Sequence, residues 1–142
     1  MPMIKHKVLG LAWRGDELLL VPINDPADGS RGARPPGGTV EFGECRETAI
    51  KREFMEEFSA MITLKGEWQT LENIFEFNGV QGHEFCSVIE ILFDEKSMYE
   101  QDTLNAIEDD GTPFQAQWCS LDSFMNGEKA LYPQGLLSCL KR

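Results

Sequence analysis

Residues 38–57 of the chain read GTVEFGECRETAIKREFMEE. Gly38 opens this stretch, Glu44 follows after five residues, and the pairs Arg52-Glu53 and Glu56-Glu57 close it. Just upstream, residues 34–38 contain two prolines and two glycines. The prolines restrict the backbone, while the glycines permit a positive φ and a close approach of the main chain to a ligand. The pattern therefore predicts a glycine-containing loop that leads into an acidic segment.

The second half of the stretch has a helical period. Ile50, Phe54 and Phe58 recur every fourth residue, which predicts a helix that begins near Glu44 and buries this apolar stripe. Gly43 permits the turn into the helix. A carboxylate at Glu44 is favoured by the dipole at the helix N-terminus, so this residue has a structural explanation as well as a functional one.

Three carboxylates share one face of the predicted helix. At about 100° per residue, Glu53, Glu56 and Glu57 lie within about 100° of arc. Like charges at this spacing destabilise a helix by a few tenths of a kcal/mol each, and a bound divalent cation offsets that cost. Ligands that are all oxygens suit Mg²⁺ or Mn²⁺. A solvated acidic face is the alternative interpretation, but the upstream glycines and the Arg52-Glu53 pair favour a metal site.

The motif of residues 38–57 resembles the Nudix box, so the chain looks like a MutT-like Nudix hydrolase. The resemblance implies one α/β domain over residues 1–142, an α/β/α sandwich with a mixed β-sheet. It also implies a Mg²⁺-dependent hydrolase, with Mn²⁺ as a possible substitute. The expected substrate is a nucleoside diphosphate linked to another group, either a nucleoside triphosphate or a nucleotide sugar such as ADP-ribose. A non-catalytic Nudix-like module that binds a nucleotide is the alternative.

The resemblance also assigns roles to particular residues. It implies that Arg52 orients Glu53, which is the default catalytic base. The implied metal ligands are Glu53, Glu56, Glu57 and the carbonyl of Gly37. The candidate substrate-binding residues are Arg34, Gly38, Glu41 and Glu44, and a direct metal role for Glu44 stays open. In several relatives an acid from a later loop completes the metal site or serves as the general base, and the candidates here are Glu100, Glu108 and Asp109.

The chain departs from the family pattern at two places. Ser59 and Ala60 stand where the pattern has a glycine followed by an aliphatic residue. Because a glycine there would end the helix, Ser59 bears on where the helix ends and not on the metal ligands. Gln115 lies three residues before Trp118, where relatives often carry a glutamate, so any role of that carboxylate is lost.

The amino-acid composition indicates which classes of molecule the protein binds. The chain has 142 residues with 24 acidic and 13 basic side chains, giving a formal net charge of −11. This balance argues against a nucleic-acid polymer as partner, but bound metal ions can reverse the sign of an acidic site for a small nucleotide. The N-terminus has no signal-peptide pattern, and no apolar segment approaches a membrane span. We therefore expect a cytoplasmic protein that does not act at a membrane; its oligomeric state is open, and a homodimer is possible.

The four cysteines are widely spaced without a Cys-x-x-Cys motif, so we expect reduced and mostly buried thiols. Outside the helix, apolar runs predict two β-hairpins, a last strand and a C-terminal helix. The hairpins comprise residues 8–13 with 17–23 and residues 62–77 with 83–93, the strand residues 114–120, and the helix residues 133–140. Segments 24–38 and 94–113 are rich in turn-forming or acidic residues and are predicted as loops.

Several residues are candidates for contacts with a nucleotide. Trp68, Phe75 and Phe85 could stack on a base, although aromatic residues in strands more often belong to the core. Arg31 and Arg34 lie just before the glycines and could meet a distal phosphate or a sugar.

Overall fold

The computed structural model describes residues 2–140. The strands are β1 (Ile4–Leu11), β2 (Trp13–Arg14), β3 (Glu17–Asn24), β4 (Arg31–Arg34), β5 (Gly37–Thr39), β6 (Ile62–Phe77), β7 (Val80–Phe93), β8 (Thr103–Ile107), β9 (Pro113–Ser120) and β10 (Ala130–Leu131). The helices are α1 (Arg46–Phe58), α2 (Asp122–Met125) and α3 (Leu136–Cys139), and a 3₁₀ turn spans Lys96–Tyr99. Within residues 2–140, no helix has the length and apolar character needed to cross a membrane.

The strands form two mixed sheets. The order is β5-β1-β7-β6 in the first sheet and β10-β4-β3-β9-β8 in the second, with β2 paired to β3. In the first sheet β1 runs parallel to β7, while β5 and β6 are antiparallel to their neighbours. In the second sheet β10 runs parallel to β4, and the other pairs are antiparallel.

Alternate side chains of the strands enter two separate cores. Leu19 of β3 packs in the core that contains the apolar side of α1. Its neighbours Leu18 and Leu20 point the other way, into the core that contains Phe124 of α2 and Leu136 of α3. This is the period of two that a strand imposes on its side chains. The sheets therefore lie between helices on both sides, and the predicted α/β/α sandwich with mixed pairing is confirmed, with the strands divided between two sheets.

The first predicted hairpin is wrong in its pairing. Residues 8–13 do not form one arm of a hairpin with residues 17–23, because only β2 pairs with the start of β3. β1 lies in the other sheet, parallel to β7 and antiparallel to β5. Apolar alternation identifies a strand but carries no information about a parallel partner far along the chain.

Two segments predicted as loops contain strands. Segment 24–38 includes β4 and the start of β5, and segment 94–113 includes the 3₁₀ turn and β8. β4 pairs with β3, and β8 pairs with β9. Each of these short strands satisfies its backbone groups on a longer strand that the sequence did predict, so its own composition is a weak indicator. The second hairpin is confirmed as β6 and β7, and the last strand as β9.

The C-terminal helix is shorter than predicted. The expected helix over 133–140 is reduced to α3, which has four residues. Gly135 immediately before it has φ +91°, a left-handed conformation that interrupts any helix starting at Pro133. The four cysteines are free, but the prediction that most of them are buried is wrong, because Cys86 is buried, Cys119 and Cys139 are half-buried, and Cys45 is exposed.

Helix α1 ends at the position where the family pattern has glycine. Ser59 follows the last helical residue with φ 53° and ψ 38°, a left-handed conformation. Its N–H donates to the carbonyl of Met55 at 3.0 Å, and the N–H of Ala60 reaches the carbonyl of Phe54 at 3.4 Å. Serine therefore ends the helix as glycine would, but it adopts a backbone conformation that is unfavourable for residues with a Cβ.

Replacing Ser59 with glycine is expected to stabilise the protein by up to about 1 kcal/mol, because glycine adopts a positive φ without strain. The matched control is Lys51→Gly at an exposed position inside α1, which should destabilise by about 0.5–1 kcal/mol. Urea unfolding of both variants beside the unmodified protein measures the two effects. A Ser59→Gly variant that unfolds at lower urea concentration would contradict the prediction.

Candidate functional site

The two glycines of the loop allow β5 to lie against its neighbours. In the register of β5 with β1, Gly37 pairs with Leu9 and Gly38 pairs with Val8. A Cβ at Gly37 would overlap the carbonyl of Val8, and a Cβ at Gly38 would overlap the carboxylate of Glu53. Only glycine therefore lets this strand pass so close to β1 and to the acidic face of α1.

Helix α1 is anchored by its apolar side. Ile50 and Phe54 are fully buried, and burial of a side chain of this size contributes about 1.5–3 kcal/mol. The helix packs against β1, β5 and β8. This anchoring carries the adjacent Glu53 into the interior, where it is only 4% exposed. A buried carboxylate is rare unless it is paired with a cation or a metal ion.

The guanidinium of Arg52 is the protein's own partner for this carboxylate. Its Nη1 donates to Oε1 of Glu53 at 2.8 Å, and Nε and Nη2 bond the two oxygens of Glu44 at 2.7 and 2.9 Å. Nη1 also lies 3.4 Å from Oε2 of Glu56, and Nη2 donates to the carbonyl of Thr39 at 3.1 Å. Arg52 thus fixes Glu53 and ties the start of the helix to β5.

Glu44 is engaged by Arg52 on both carboxylate oxygens. Its Oε1 also accepts the N–H of Glu41 at 3.1 Å, which fixes the turn before the helix. The hydrogen bonds from Arg52 hold the pKa of Glu44 at about 2. Glu41 is exposed, with its own carboxylate 3.9 Å from the guanidinium. The structure therefore gives Glu44 a position beside Arg52, the residue that orients Glu53.

Glu53 also belongs to a cluster of three acids. One carboxylate oxygen from each of Glu53, Glu56 and Asp109 lies within 4.8 Å of the other two. Asp109 follows β8, and the packing of β8 on α1 carries it to the helix. Among the three loop acids that the sequence left open, Asp109 is the one in this cluster. Glu57 lies outside the three-oxygen group.

Two acids of this region, Glu53 and Glu57, have pKa values above the ordinary value of a glutamate. Burial raises the pKa of Glu53 against the opposing effect of Arg52, and Asp109 and Glu56 add to the rise. Burial and then the Glu53 charge raise the pKa of Glu57 to about 8. Negative charge at the cluster thus exceeds what Arg52 offsets. The donor atoms are all oxygens, so these residues fit a hard divalent cation such as Mg²⁺ or Mn²⁺.

The pKa of Glu57 predicts how the metal-free protein responds to pH. With a folded pKa of about 8 against an ordinary value of 4.5, the folded chain retains a proton that the unfolded chain loses. The free energy of unfolding therefore falls as pH rises between these two values. Glu57→Gln should remove this dependence, so we expect equal stability at pH 4 and a more stable variant at pH 9. Urea unfolding in EDTA measures the free energy of unfolding of both proteins at each pH. If this free energy changes with pH in the same way in both proteins from pH 4 to 9, the prediction is wrong.

A cavity of about 490 Å³ opens beside the two glycines, within the usual range for a small-molecule site. Its lining includes Lys7, Arg34, Gly37, Gly38 and Glu108. Arg34 was predicted as a substrate contact, whereas Lys7 was missed. The alternation of β1, which places Lys7 on the same face as Leu9, could have identified it. Burial lowers the pKa of Lys7, against the opposing effect of Glu84.

Among the aromatic candidates, Phe75 lines the cavity. Trp68 instead stacks with the guanidinium of Arg46, whose Cζ lies 4.8 Å from the ring centroid. Phe85 stacks on His6 at 5.7 Å. Arg31 is not part of the cavity lining, and Gln115 donates its side-chain amide to Asn105 at 3.1 Å.

Comparisons with known proteins identify the family and the fold of the chain. The sequence profile of the NUDIX domain family matches residues 5–137. No curated protein sequence matches the chain. The solution structure of the E. coli ORF135 protein is similar, with 22% identity, a TM-score of 0.61, and coverage of 93% of this chain and 83% of that one.

Two further structures share the fold at low identity. A MutT NUDIX hydrolase from Burkholderia pseudomallei has 22% identity and a TM-score of 0.56, covering 84% of this chain and 85% of its own. A NUDIX-family hydrolase from Clostridium perfringens has 16% identity and a TM-score of 0.55, covering 94% and 92%. Since the family profile spans nearly the whole chain, including the glycine loop and the acidic helix, the chain belongs to the Nudix hydrolase family, whose members generally cleave nucleoside diphosphates linked to other groups.

Proposed function

We propose that this protein hydrolyses the pyrophosphate linkage of a nucleoside diphosphate linked to another group, with Mg²⁺ as the physiological cation. The substrate is a nucleoside triphosphate or a nucleotide sugar such as ADP-ribose. The observation that carries the proposal is the cluster of Glu53, Glu56 and Asp109 oxygens. Glu53 lies against Gly38, which lines a cavity that also contains the cationic side chains of Lys7 and Arg34. Carboxylates that would hold a cation and cationic side chains that would hold phosphate therefore lie next to each other.

The position of each residue determines the role that we assign to it. Glu53, Glu56 and Asp109 would hold the cation, with Glu57 and the Gly37 carbonyl as further ligands. When bound, the cation supplies Lewis acidity toward phosphate oxygens and water. Lys7 and Arg34 bind the phosphates of the substrate from the cavity side.

Glu53 is the proposed general base for the attacking water. Burial raises its pKa, which makes its carboxylate a stronger base than that of an exposed glutamate. Arg52 fixes the carboxylate through the 2.8 Å hydrogen bond and is therefore a positioning residue. Asp109 lies in the same cluster and is the alternative base.

The alternative function is a non-catalytic module that binds a nucleotide. Its motivation from sequence was Ser59 in place of the family glycine. The left-handed conformation of Ser59 weakens this alternative, because the helix ends at the same position and the acidic cluster upstream is undisturbed.

A panel of nucleotides distinguishes the two functions. The four nucleoside triphosphates and several nucleotide sugars, ADP-ribose included, are incubated with enzyme and Mg²⁺, and the products are separated by chromatography. We expect a nucleoside monophosphate together with pyrophosphate or with the phosphorylated remainder. EDTA should abolish the reaction, and added Mg²⁺ or Mn²⁺ should restore it. Binding of nucleotides without turnover would favour the non-catalytic alternative.

A further inference from the structure

The cavity extends from Gly38, which lies against Glu53 of the acidic cluster, to the side-chain amide of Asn73. In the first sheet Lys7 of β1 pairs with Cys86 of β7, and Glu84 of β7 pairs with Asn73 of β6. Lys7, Cys86, Glu84 and Asn73 all line the cavity. With neighbouring strands about 4.8 Å apart, the three steps from β5 to β6 place Asn73 about 14 Å across the sheet from Gly38. A ligand whose phosphates lie at the glycines therefore extends toward Asn73.

Two aromatic rings in the part of the cavity that contains Asn73 pack directly against glycines. A Cβ at Gly82 would overlap the ring of Phe75, which lies directly over that glycine. A Cβ at Gly32 would overlap the carbonyl oxygen of Ala130 and also the ring of Tyr132. Both rings line the cavity. Glycine beneath each ring fixes its position and leaves apolar surface for a planar group of the ligand.

The carboxamide of Asn73 is buried but only partly used. The side chain is 5% exposed, and its Oδ1 accepts the N–H of Gln134 at 3.4 Å. This contact identifies which end of the amide is the oxygen, since an NH₂ group could not accept it. Among residues 2–140 the amide nitrogen donates to no protein group. Among these residues the fully buried side-chain atom without a partner is Nε1 of Trp118, so the amide nitrogen of Asn73 remains accessible from the cavity that the residue lines. A free donor in a cavity wall points to an acceptor on the ligand.

We propose that Asn73 determines base specificity by donating its side-chain N–H to an acceptor atom on the nucleobase, which lies against Phe75 and Tyr132. This inference rests on the proposed function, because it assumes that the cavity holds the nucleoside part of the substrate. The base therefore decides which nucleotide the protein prefers. The phosphates are bound in the same way in every nucleotide.

Two substitutions test the proposal. Asn73→Asp keeps an oxygen for the N–H of Gln134 but replaces the donor with an acceptor, and Asn73→Leu removes both at similar volume. The control is Ile74→Ala on the opposite face of β6, where Ile74 is 53% exposed. The measurement is kcat/KM for ATP, GTP, CTP and UTP with Mg²⁺, together with calorimetric binding of the same four nucleotides.

In both variants at Asn73 we expect kcat/KM for the preferred nucleotide to fall by about tenfold or more. The least preferred nucleotide should change by less than about threefold, and Asn73→Asp should alter the ranking. Ile74→Ala should keep the original ranking. A purely structural role would lower all four values equally, and that result, or an unchanged ranking, would overturn the proposal.

The binding data separate failure of this inference from failure of the proposed function. If the unmodified protein hydrolyses none of the four nucleotides, the hydrolase assignment to nucleoside triphosphates fails. The base preference is then assessed from the four dissociation constants. A preference that is lost in the Asn73 variants supports the inference even then, and equal binding of all four bases by the unmodified protein contradicts it.

Discussion

Replacing Glu56 with glutamine is expected to lower kcat by about 10²-fold or more while the protein remains folded. Glu56 contributes one oxygen to the cluster with Glu53 and Asp109. Glutamine keeps the shape but removes the charge that a divalent cation requires. The cation acts mainly on charge that develops in the transition state, so the loss should appear in kcat more than in KM. Because Glu56 is exposed, the substitution leaves the core unchanged.

The matched control for this prediction is Glu47→Gln. Glu47 is exposed in the first turn of the same helix and is not part of the acidic cluster. The same change of charge there should leave kcat within about twofold. Steady-state kinetics across a range of Mg²⁺ concentrations measures both variants. Near-normal turnover by the Glu56 variant at low Mg²⁺ would show that the cluster has only a structural role.

Replacing Arg52 with alanine is the second change with a large expected effect. Glu53 would lose its 2.8 Å hydrogen bond, and Glu44 would lose both of its contacts with the guanidinium. The Glu53 carboxylate would then be buried without a cationic side chain beside it, which raises its pKa further and frees its orientation. We expect kcat to fall by about 10²-fold and the acidic limb of the pH–rate profile to move to higher pH.

Arg52→Lys provides one control, and alanine substitutions of two other cationic residues provide the others. Lysine keeps the charge but cannot bond Glu44 with two donors while also reaching Glu53, so activity should recover only in part. Lys51→Ala and Arg46→Ala should leave turnover almost unchanged. Lys51 is exposed, and the guanidinium of Arg46 stacks on the ring of Trp68. Equal losses for all three alanine variants would mean that general positive charge matters and orientation does not.

The part of the site that lies on α1 was predictable from sequence for a physical reason. Helical period is local, so the spacing of Ile50, Phe54 and Phe58 fixed which side of the helix is buried, and the acids followed from the same geometry. The helix starts at Arg46, close to the predicted start near Glu44. The fold class was accessible because the Nudix box pattern is specific to one family.

The rest of the site depends on contacts between distant segments. Asp109 reaches the cluster because β8 pairs with β9 and packs on α1, and nothing in the acidic segment 94–113 distinguishes it from Glu100 or Glu108. Lys7 and Asn73 share a cavity because β1 and β6 both flank β7. Strand order is not encoded in local alternation, so the sequence identified the longer strands and not the surface that the strands form together.

The central claim is that Glu53, Glu56 and Asp109 form the cation site on which hydrolysis depends. Its most direct test is the dissociation constant for Mn²⁺, measured by electron paramagnetic resonance on metal-free protein, for Asp109→Asn beside Asp110→Asn. Asp110 is the adjacent acid, and its carboxylate accepts the N–H of Thr112 at 2.9 Å. The account predicts that Asp109→Asn weakens Mn²⁺ binding by about tenfold or more, while Asp110→Asn binds as the unmodified protein does. Equal affinities for the two variants would contradict it.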